Sequence, residues 1–375
     1  MSPVPGVPGM PALPSSRRVF LAALLCAAGS CSPPVYTGAG SAGQPAPAEP
    51  PPAWHVITRS HVDLWLHGYA LLLRDTATPP VFRRGYRERV QAAKAQRNIT
   101  TQLDANRERL QSRLSLSPAL FNGQFLPLYF ASFDQMRQVI NLFLQTGGDP
   151  RSAADRATAQ YFAVLGQSFA SAADREWLRL FTESLEDERL KFYQQYWTQE
   201  HGARIGVVRA VDSLWNQGGY RRRLQRFLSN TQQEGGDFVL ALTLGGEGRT
   251  VNFAPRQNAI ASTLPDSDAA EAFYVFAHEA ANSIVIAAVN DNTTPTEQRA
   301  GVSGRYITAG TVRAGAMLLQ KAAPDLAVGY AQYYLMQAGQ AATGDVTARL
   351  ASVYPLPELI RAAIDRQIDV VLGGI

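Results

Sequence analysis

Residues 269–289, AAEAFYVFAHEAANSIVIAAV, form a run of helical length in which apolar residues fall on nearly every side. A helix that is apolar all round is buried, so this run predicts the central helix of the folded domain. His278, Glu279 and Asn282 lie within it. Residues four apart share one face of a helix, which places His278 beside Asn282. A buried His and Glu need partners, because an unpaired buried charge is costly, and these residues are therefore the candidate site.

The sequence before this helix has a different pattern. Residues 238–244 are apolar and β-rich, a glycine-rich turn follows at 245–248, and residues 250–253 read as a second short strand. This order predicts a β-hairpin with a short glycine loop. Residues 258–263 are a candidate for one more strand.

Most of the remaining chain has helical periodicity. The pattern predicts helices at 63–73, 133–144, 172–199, 207–215, 220–228, 296–322, 326–338 and 357–371. The expected fold class is therefore mainly α (α+β): a helical N-terminal part, a small antiparallel hairpin or sheet, the central helix, and C-terminal helices. The sequence contains no internal repeat.

The central helix carries a specific resemblance. His278-Glu279-Ala280-Ala281-Asn282 resembles the HExxH motif of the zincin metallopeptidases, with Asn in place of the second His. In that family the two His bind Zn²⁺ and the Glu activates the metal-bound water. The gluzincin branch takes a third ligand from a Glu on the following helix, and Glu297 lies in such a segment. The resemblance covers roughly residues 238–338.

This resemblance implies that His278, Asn282 and Glu297 occupy the metal-ligand positions and that Glu279 is the general base. Asn282 departs from the family pattern, because its amide oxygen is a weak ligand for Zn²⁺. The family's oxyanion-stabilising side chain has three candidates, and the sequence does not choose among Tyr306, Tyr330 and Tyr333. The predicted hairpin agrees with the resemblance, since zincins bind substrate along an edge strand.

Three functions follow from these residues. The first is a membrane-tethered zinc hydrolase. The second is a pseudoenzyme, catalytically impaired at Asn282, that binds peptides or components of the cell envelope. The third is a helical scaffold lipoprotein with no ancestral active site, in which His278 hydrogen-bonds Glu297 or a backbone carbonyl.

The sequence has four further His residues, and its pattern favours none of them as a ligand. His55, His61 and His67 recur every six residues, which does not align them on one helix face, and surface or capping roles are predicted for them. His201 follows the long helix at 172–199 and precedes Gly202, which is typical of a C-terminal cap.

The first 31 residues have the parts of an export signal. Residues 16–21, SRRVFL, resemble the twin-arginine signal, which bacteria use to export folded proteins. The apolar run that follows is well short of the roughly 20 residues that a transmembrane helix needs. Ala28-Gly29-Ser30-Cys31 resembles a lipobox, which implies lipidation of Cys31. The alternative is an ordinary cleaved signal with an incidental Cys.

The predicted organisation is a signal peptide at 1–31, a Pro- and Ala-rich spacer at 32–53, a helical region at 54–230, and a zincin-like region at 231–375, the last two forming one domain or two. We expect an exported lipoprotein that its N-terminal lipid attaches to a membrane. Ser32 stands where Asp marks inner-membrane retention in some bacteria, which favours the outer membrane.

Composition excludes some classes of protein. Both Cys residues, Cys26 and Cys31, lie in the signal region, so disulfides and Cys-based metal sites are not expected in the mature domain. Loss of Arg17 and Arg18 with the signal would leave 33 basic residues against 31 acidic ones. With no basic stripe in the sequence, nucleic acid is not an expected partner.

Overall fold

The computed structural model describes residues 54–74, 76–254 and 257–373; the signal, Cys31 and the spacer lie outside them. Helices account for 69% of the structure and strands for 7%. The predicted fold class, mainly α with a small sheet, is confirmed.

Four short strands form one mixed sheet in the order β1-β2-β4-β3. Their bounds are β1 Trp54–Thr58, β2 Gly236–Ala241, β3 Arg249–Ala254 and β4 Gln257–Thr263. β1 and β4 both run parallel to β2, with Val56 and Ile260 opposite Phe238. β3 is antiparallel to β4 and forms one edge of the sheet.

The mixed sheet differs from the antiparallel hairpin or sheet that the sequence predicts. Residues 238–244 and 250–253 do not form a hairpin with each other, because β4 lies between their strands. The glycine loop that joins them is held elsewhere: the amides of Gly245 and Gly246 donate to the carbonyls of Val81 and Pro80, at 2.8 and 2.9 Å. β1, at the start of the region read as helical, was not predicted.

Eleven helices precede β2 among the described residues. They are α1 Ser60–Leu72, α2 Tyr86–Gln96, α3 Gln102–Ala105, α4 Arg107–Leu116, α5 Ala119–Asn122, α6 Phe133–Gln145, α7 Arg156–Ser168, α8 Ala172–Glu188, α9 Gln194–Ala203, α10 Ile205–Asn216 and α11 Tyr220–Asn230. Short 3₁₀ segments lie at Gly123–Tyr129 and Pro150–Ser152. The long helix predicted at 172–199 is α8 and α9 joined by a π-helical turn, Arg189–Tyr193.

Six helices follow β4 in the described chain. They are α12 Ala270–Asp291, α13 Pro295–Arg299, α14 Val302–Ala322, α15 Pro324–Gln337, α16 Val346–Val353 and α17 Glu358–Leu372. The helix predicted at 296–322 is interrupted at Gly301, whose φ of 73° is left-handed and ends the short α13.

The sheet separates two apolar cores. Side chains alternate between the faces of a strand, and in β2 Phe238 and Leu240 pack on the side of α12, whereas Val239 and Ala241 pack on the side of α1 and α8. Since β1 from the first predicted region pairs with β2 from the second, regions 54–230 and 231–375 share this sheet.

The apolar run at 269–289 forms α12. Among the described residues it is the one helix long and apolar enough to cross a membrane, and 78% of its apolar window is buried within the fold. It packs against β4, α14 and α15, as expected for a central core helix.

Candidate functional site

His278 and Glu279 form a buried pair on α12. Their residues are 4% and 5% exposed, and Nδ1 of His278 lies 2.9 Å from Oε1 of Glu279. The His278 ring stacks on Tyr334 of α15, with ring centroids 5.3 Å apart and planes 16° from parallel. The His278 ring is therefore covered by α15.

Glu279 also ties the central helix to the edge strand. Its Oε1 accepts a hydrogen bond from the amide of Gly248 at 3.0 Å, and its carbonyl oxygen accepts one from the Thr250 hydroxyl at 3.0 Å. A Cβ at position 248 would lie 1.9 Å from the carbonyl oxygen of Ala261, so only glycine permits this approach. Two hydrogen bonds thus join the candidate site to the start of β3.

Charge and hydrogen bonding determine the protonation of Glu279. Burial alone would raise the pKa of this carboxyl, but the hydrogen bond and charge of His278, the charge of Arg249 and the Gly248 amide outweigh burial and lower the pKa. An ionised carboxylate only accepts hydrogen bonds, so Nδ1 of His278 donates to it. Nε2 of His278 is buried and has no hydrogen-bond partner among the described residues.

Asn282 faces α14. Its Oδ1 lies 3.2 Å from the hydroxyl of Thr311, which is also 2.8 Å from the carbonyl oxygen of Ile307. The position across from Asn282 is therefore held by a neutral hydroxyl, not by a carboxylate.

Glu297 lies on the surface and caps its own helix. In a capping box at the start of α13, Oε2 of Glu297 accepts hydrogen bonds from the amide and hydroxyl of Thr294, both at 2.8 Å, and the amide of Glu297 donates to that hydroxyl. The prediction that Glu297 lies beside His278 is wrong. A Glu three residues after a Thr is typical of a helix N-terminus, and here the Glu297 carboxylate accepts the hydrogen bonds of the capping box.

The side chains present do not fit a catalytic zinc ion. Such sites use three protein ligands, whereas here Nε2 of His278 is one open nitrogen, Asn282 contacts Thr311, and Glu297 is exposed at α13. Within the described ranges, no group of three or more His, Cys, Asp or Glu side chains could hold a metal ion.

Two of the three candidate tyrosines donate to backbone carbonyls. The hydroxyls of Tyr330 and Tyr333 donate to the carbonyls of Val312 and Gly245, at 2.9 and 3.1 Å, and Tyr306 packs half-buried against the core. The tyrosine that touches His278 is Tyr334, which the sequence did not single out; its hydroxyl donates to Gly246 at 2.9 Å.

Two of the other His residues are buried, contrary to the prediction of surface or capping roles. His61 is 6% exposed and His67 is fully enclosed, because α1 is covered on all sides. Nε2 of His201 lies 3.0 Å from the Thr58 hydroxyl, and its ring stacks on Trp197. His55 is exposed on β1.

Sequence reasoning also did not find a buried cluster of charged and polar side chains. It consists of His67, Lys94, Thr101, Asp104 and Glu188. Oε1 of Glu188 lies 3.0 Å from Nε2 of His67, and Oε2 lies 2.8 Å from Nζ of Lys94. Lys94 also donates to Asp104 at 2.6 Å. A usable signal was present: His67 lies in a stretch of α1, residues 64–72, that is otherwise apolar.

Asp63 links the helical region to the end of β2. Trp197 donates to its Oδ2 at 2.9 Å, and the amide of Thr243 lies 3.4 Å from its Oδ1. Burial raises the pKa of Asp63 to about 6 despite these hydrogen bonds.

No family model matches this chain, and neither curated proteins nor solved structures show a significant similarity to it.

Proposed function

We propose that this chain is an exported, membrane-tethered pseudoenzyme of zincin-like design that binds a peptide segment and does not hydrolyse it. The supporting observation is that the polar side chains of the motif are hydrogen-bonded within the protein. His278 and Glu279 are bonded to each other, and Glu279 is further bonded to Gly248, in a site only 4–5% exposed. A general base must reach its proton donor within hydrogen-bonding distance, and this enclosure leaves no room for substrate at the carboxylate.

The edge strand supplies the binding surface in this proposal. β3 pairs with β4 alone among the described strands. Its Asn252 is exposed, and the strand begins at the Gly248 contact with Glu279. An extended peptide can add to such an edge through main-chain hydrogen bonds. The ties from Glu279 to Gly248 and Thr250 would then serve to hold β3 rigid.

A zinc hydrolase is the second candidate, and it would need ligands other than Asn282 and Glu297. It is favoured by Nε2 of His278, a buried nitrogen without a hydrogen-bond partner in the described chain, because an unsatisfied buried polar atom is uncommon and imidazole nitrogen is a preferred zinc ligand.

Zinc content separates the two candidates. We expect the purified wild-type chain to hold no stoichiometric zinc by elemental analysis, and His278→Ala to hold the same amount. Combining Asn282→His with Thr311→Glu should create a site, because these positions face each other at 3.2 Å and supply, with His278, three ligands. The double variant should bind zinc stoichiometrically, whereas each single variant should bind far more weakly.

Stoichiometric zinc in the wild type that disappears in His278→Ala would establish the hydrolase candidate instead. If the double variant folds, as checked by circular dichroism, yet fails to bind zinc, the zincin-like arrangement of α12 and α14 loses its support. Glu297→Gln is the matched control and should leave zinc content unchanged in every background.

Peptide binding is tested directly with an array of ten-residue peptides. Peptides that bind should do so equally well in the presence of a metal chelator, and hydrogen exchange should slow at residues 250–252 of β3 when they are bound. Binding that requires zinc, slowed exchange confined to other segments, or an array with no binder would each count against the proposal.

The tether is a separate part of the proposal and rests on the sequence at Cys31, outside the described residues. We expect the wild-type chain to fractionate with membranes of an expressing bacterium and Cys31→Ala to be released into the soluble exported fraction. An unchanged membrane fraction in Cys31→Ala would indicate another mode of attachment.

A further inference from the structure

A polar cavity lies between the end of α1 and the start of α2. It has a volume of about 630 Å³, and its walls come from residues 70, 73–74, 76–78, 80 and 82–88. Four arginines line it: Arg74, Arg83, Arg84 and Arg87. Glu88 is the one carboxylate among its described lining residues, and Asp266, outside the lining, pairs with Arg83. The lining therefore has more arginines than carboxylates.

The framework holds two of these arginines in place. Arg87 donates to the carbonyls of Ala70 and Leu73, where α1 ends. Arg83 donates to the Leu264 carbonyl and pairs with Asp266. These bonds hold the guanidinium groups in place before any ligand binds. Groups that are already held in place lose less conformational entropy when an anion binds.

The other two arginines are exposed at the rim. Arg84 donates to the Gln337 carbonyl at 2.5 Å. Arg74 makes no hydrogen bond or ion pair within the part of the chain that the structure describes. Burial lowers the pKa of Arg87, the charges of Arg107 and Arg74 lower it further, and the charge of Glu88 opposes them.

The wall of the cavity adds backbone donors. Gly85, with φ of 70°, precedes α2 and provides no side-chain cap, so the first turn of this eleven-residue helix has amide groups that no capping side chain satisfies. Such a turn attracts anions. The cavity also lies next to the residues that follow β2, because the amide of Arg83 donates to the carbonyl of Thr243. Ligands of parallel sheets commonly bind beyond the carboxyl ends of the strands.

We propose that this cavity binds a phosphate group. Arginines present planar pairs of donors that match phosphate oxygens, and a phosphate with more than one negative charge is balanced better by this cluster than a single carboxylate. The phosphate is carried either by a soluble molecule or by the headgroup of an anionic phospholipid, since both present the same oxygens.

The test uses the full chain carrying Cys31→Ala, so that no lipid anchors it. Calorimetric titration with inorganic pyrophosphate at low ionic strength probes soluble phosphate. Co-sedimentation with phosphatidylcholine vesicles, with and without phosphatidylglycerol, probes the headgroup. We expect saturable binding in at least one arm that weakens as salt is raised.

The double variant Arg74→Gln/Arg84→Gln should weaken that binding about tenfold or more, because charge-assisted hydrogen bonds are lost. Both residues are exposed, so its melting temperature should stay at the wild-type value; Arg74→Gln alone is the fallback if it does not. Arg222→Gln is the control, because Arg222 is exposed on α11 away from the cavity, and it should bind as the wild type does.

Pyrophosphate binding with no preference for phosphatidylglycerol identifies a soluble phosphate ligand, and the reverse result identifies a headgroup. The proposal is overturned if neither probe binds, if the double variant binds as tightly as the wild type, or if Arg222→Gln weakens binding as much as the double variant does.

Discussion

Replacing Glu188 by alanine is expected to lower the free energy of unfolding by about 3 to 5 kcal/mol, the usual cost of removing one partner from a buried ion pair. Glu188 is fully enclosed at the end of α8. Its two oxygens face His67 of α1 and Lys94 of α2, and Thr101 also donates to it. Without the carboxylate, Asp104 is the ionic partner that remains for Lys94 among the described residues.

The charge state of Glu188 gives this prediction a pH dependence. Burial would raise its pKa, but the hydrogen bond and charge of His67 and the charge of Lys94 outweigh burial, and the pKa is lowered. A carboxyl with a lowered pKa stabilises the fold above its unfolded pKa, near 4.5, and loses that contribution as pH falls through the folded value. The difference in the free energy of unfolding between the wild type and Glu188→Ala should therefore become smaller at low pH.

Urea unfolding at pH 7 and at low pH measures both effects. Glu183→Ala is the control on the same helix, because Glu183 is 53% exposed and pairs with Arg179 at the surface, so its loss should cost less than about 1 kcal/mol. Equal losses in the two variants would show that the charged cluster contributes little to stability.

Replacing Phe276 by alanine is expected to cost about 3 to 5 kcal/mol, as for other large-to-small substitutions of buried aromatics. Phe276 lies on α12, two residues before His278, and is fully buried. Its ring contacts Trp54 of β1, Trp215 of α10 and Phe238 of β2, with centroids 5.6, 4.8 and 4.6 Å away. One side chain thus holds the central helix against the sheet and against α10.

Thermal and urea unfolding of Phe276→Ala measure this loss. Phe121→Ala is the matched control, because Phe121 is 37% exposed and its truncation leaves little cavity. If the free energy of unfolding of Phe276→Ala lies within about 1 kcal/mol of that of the control, the contact between α12 and the sheet is not the main contribution to the stability of that core.

The local part of the fold could be predicted from the sequence. Apolar residues at helical spacing gave α6, α12 and α17 to within two residues of their observed ends. The pairing of the strands could not be predicted, because β1 and β2 meet across the whole helical region and no local pattern encodes that contact. The glycine loop at 245–248 looked like a hairpin turn, but the amides of residues 245–247 donate to the carbonyls of residues 80–81. The amide of Gly248 donates to Glu279.

The sequence by itself determined that His278 and Glu279 would be buried, because the residues around them are apolar on every face of α12. Only the tertiary structure decided their partners. Gly248, which binds Glu279, is 31 residues away, and Glu188, which binds His67, is 121 residues away. A buried polar group must find a hydrogen-bond partner, but spacing along one helix cannot say which distant segment supplies it. That is why Glu297, predicted to face His278, caps its own helix instead, while Thr311 faces Asn282.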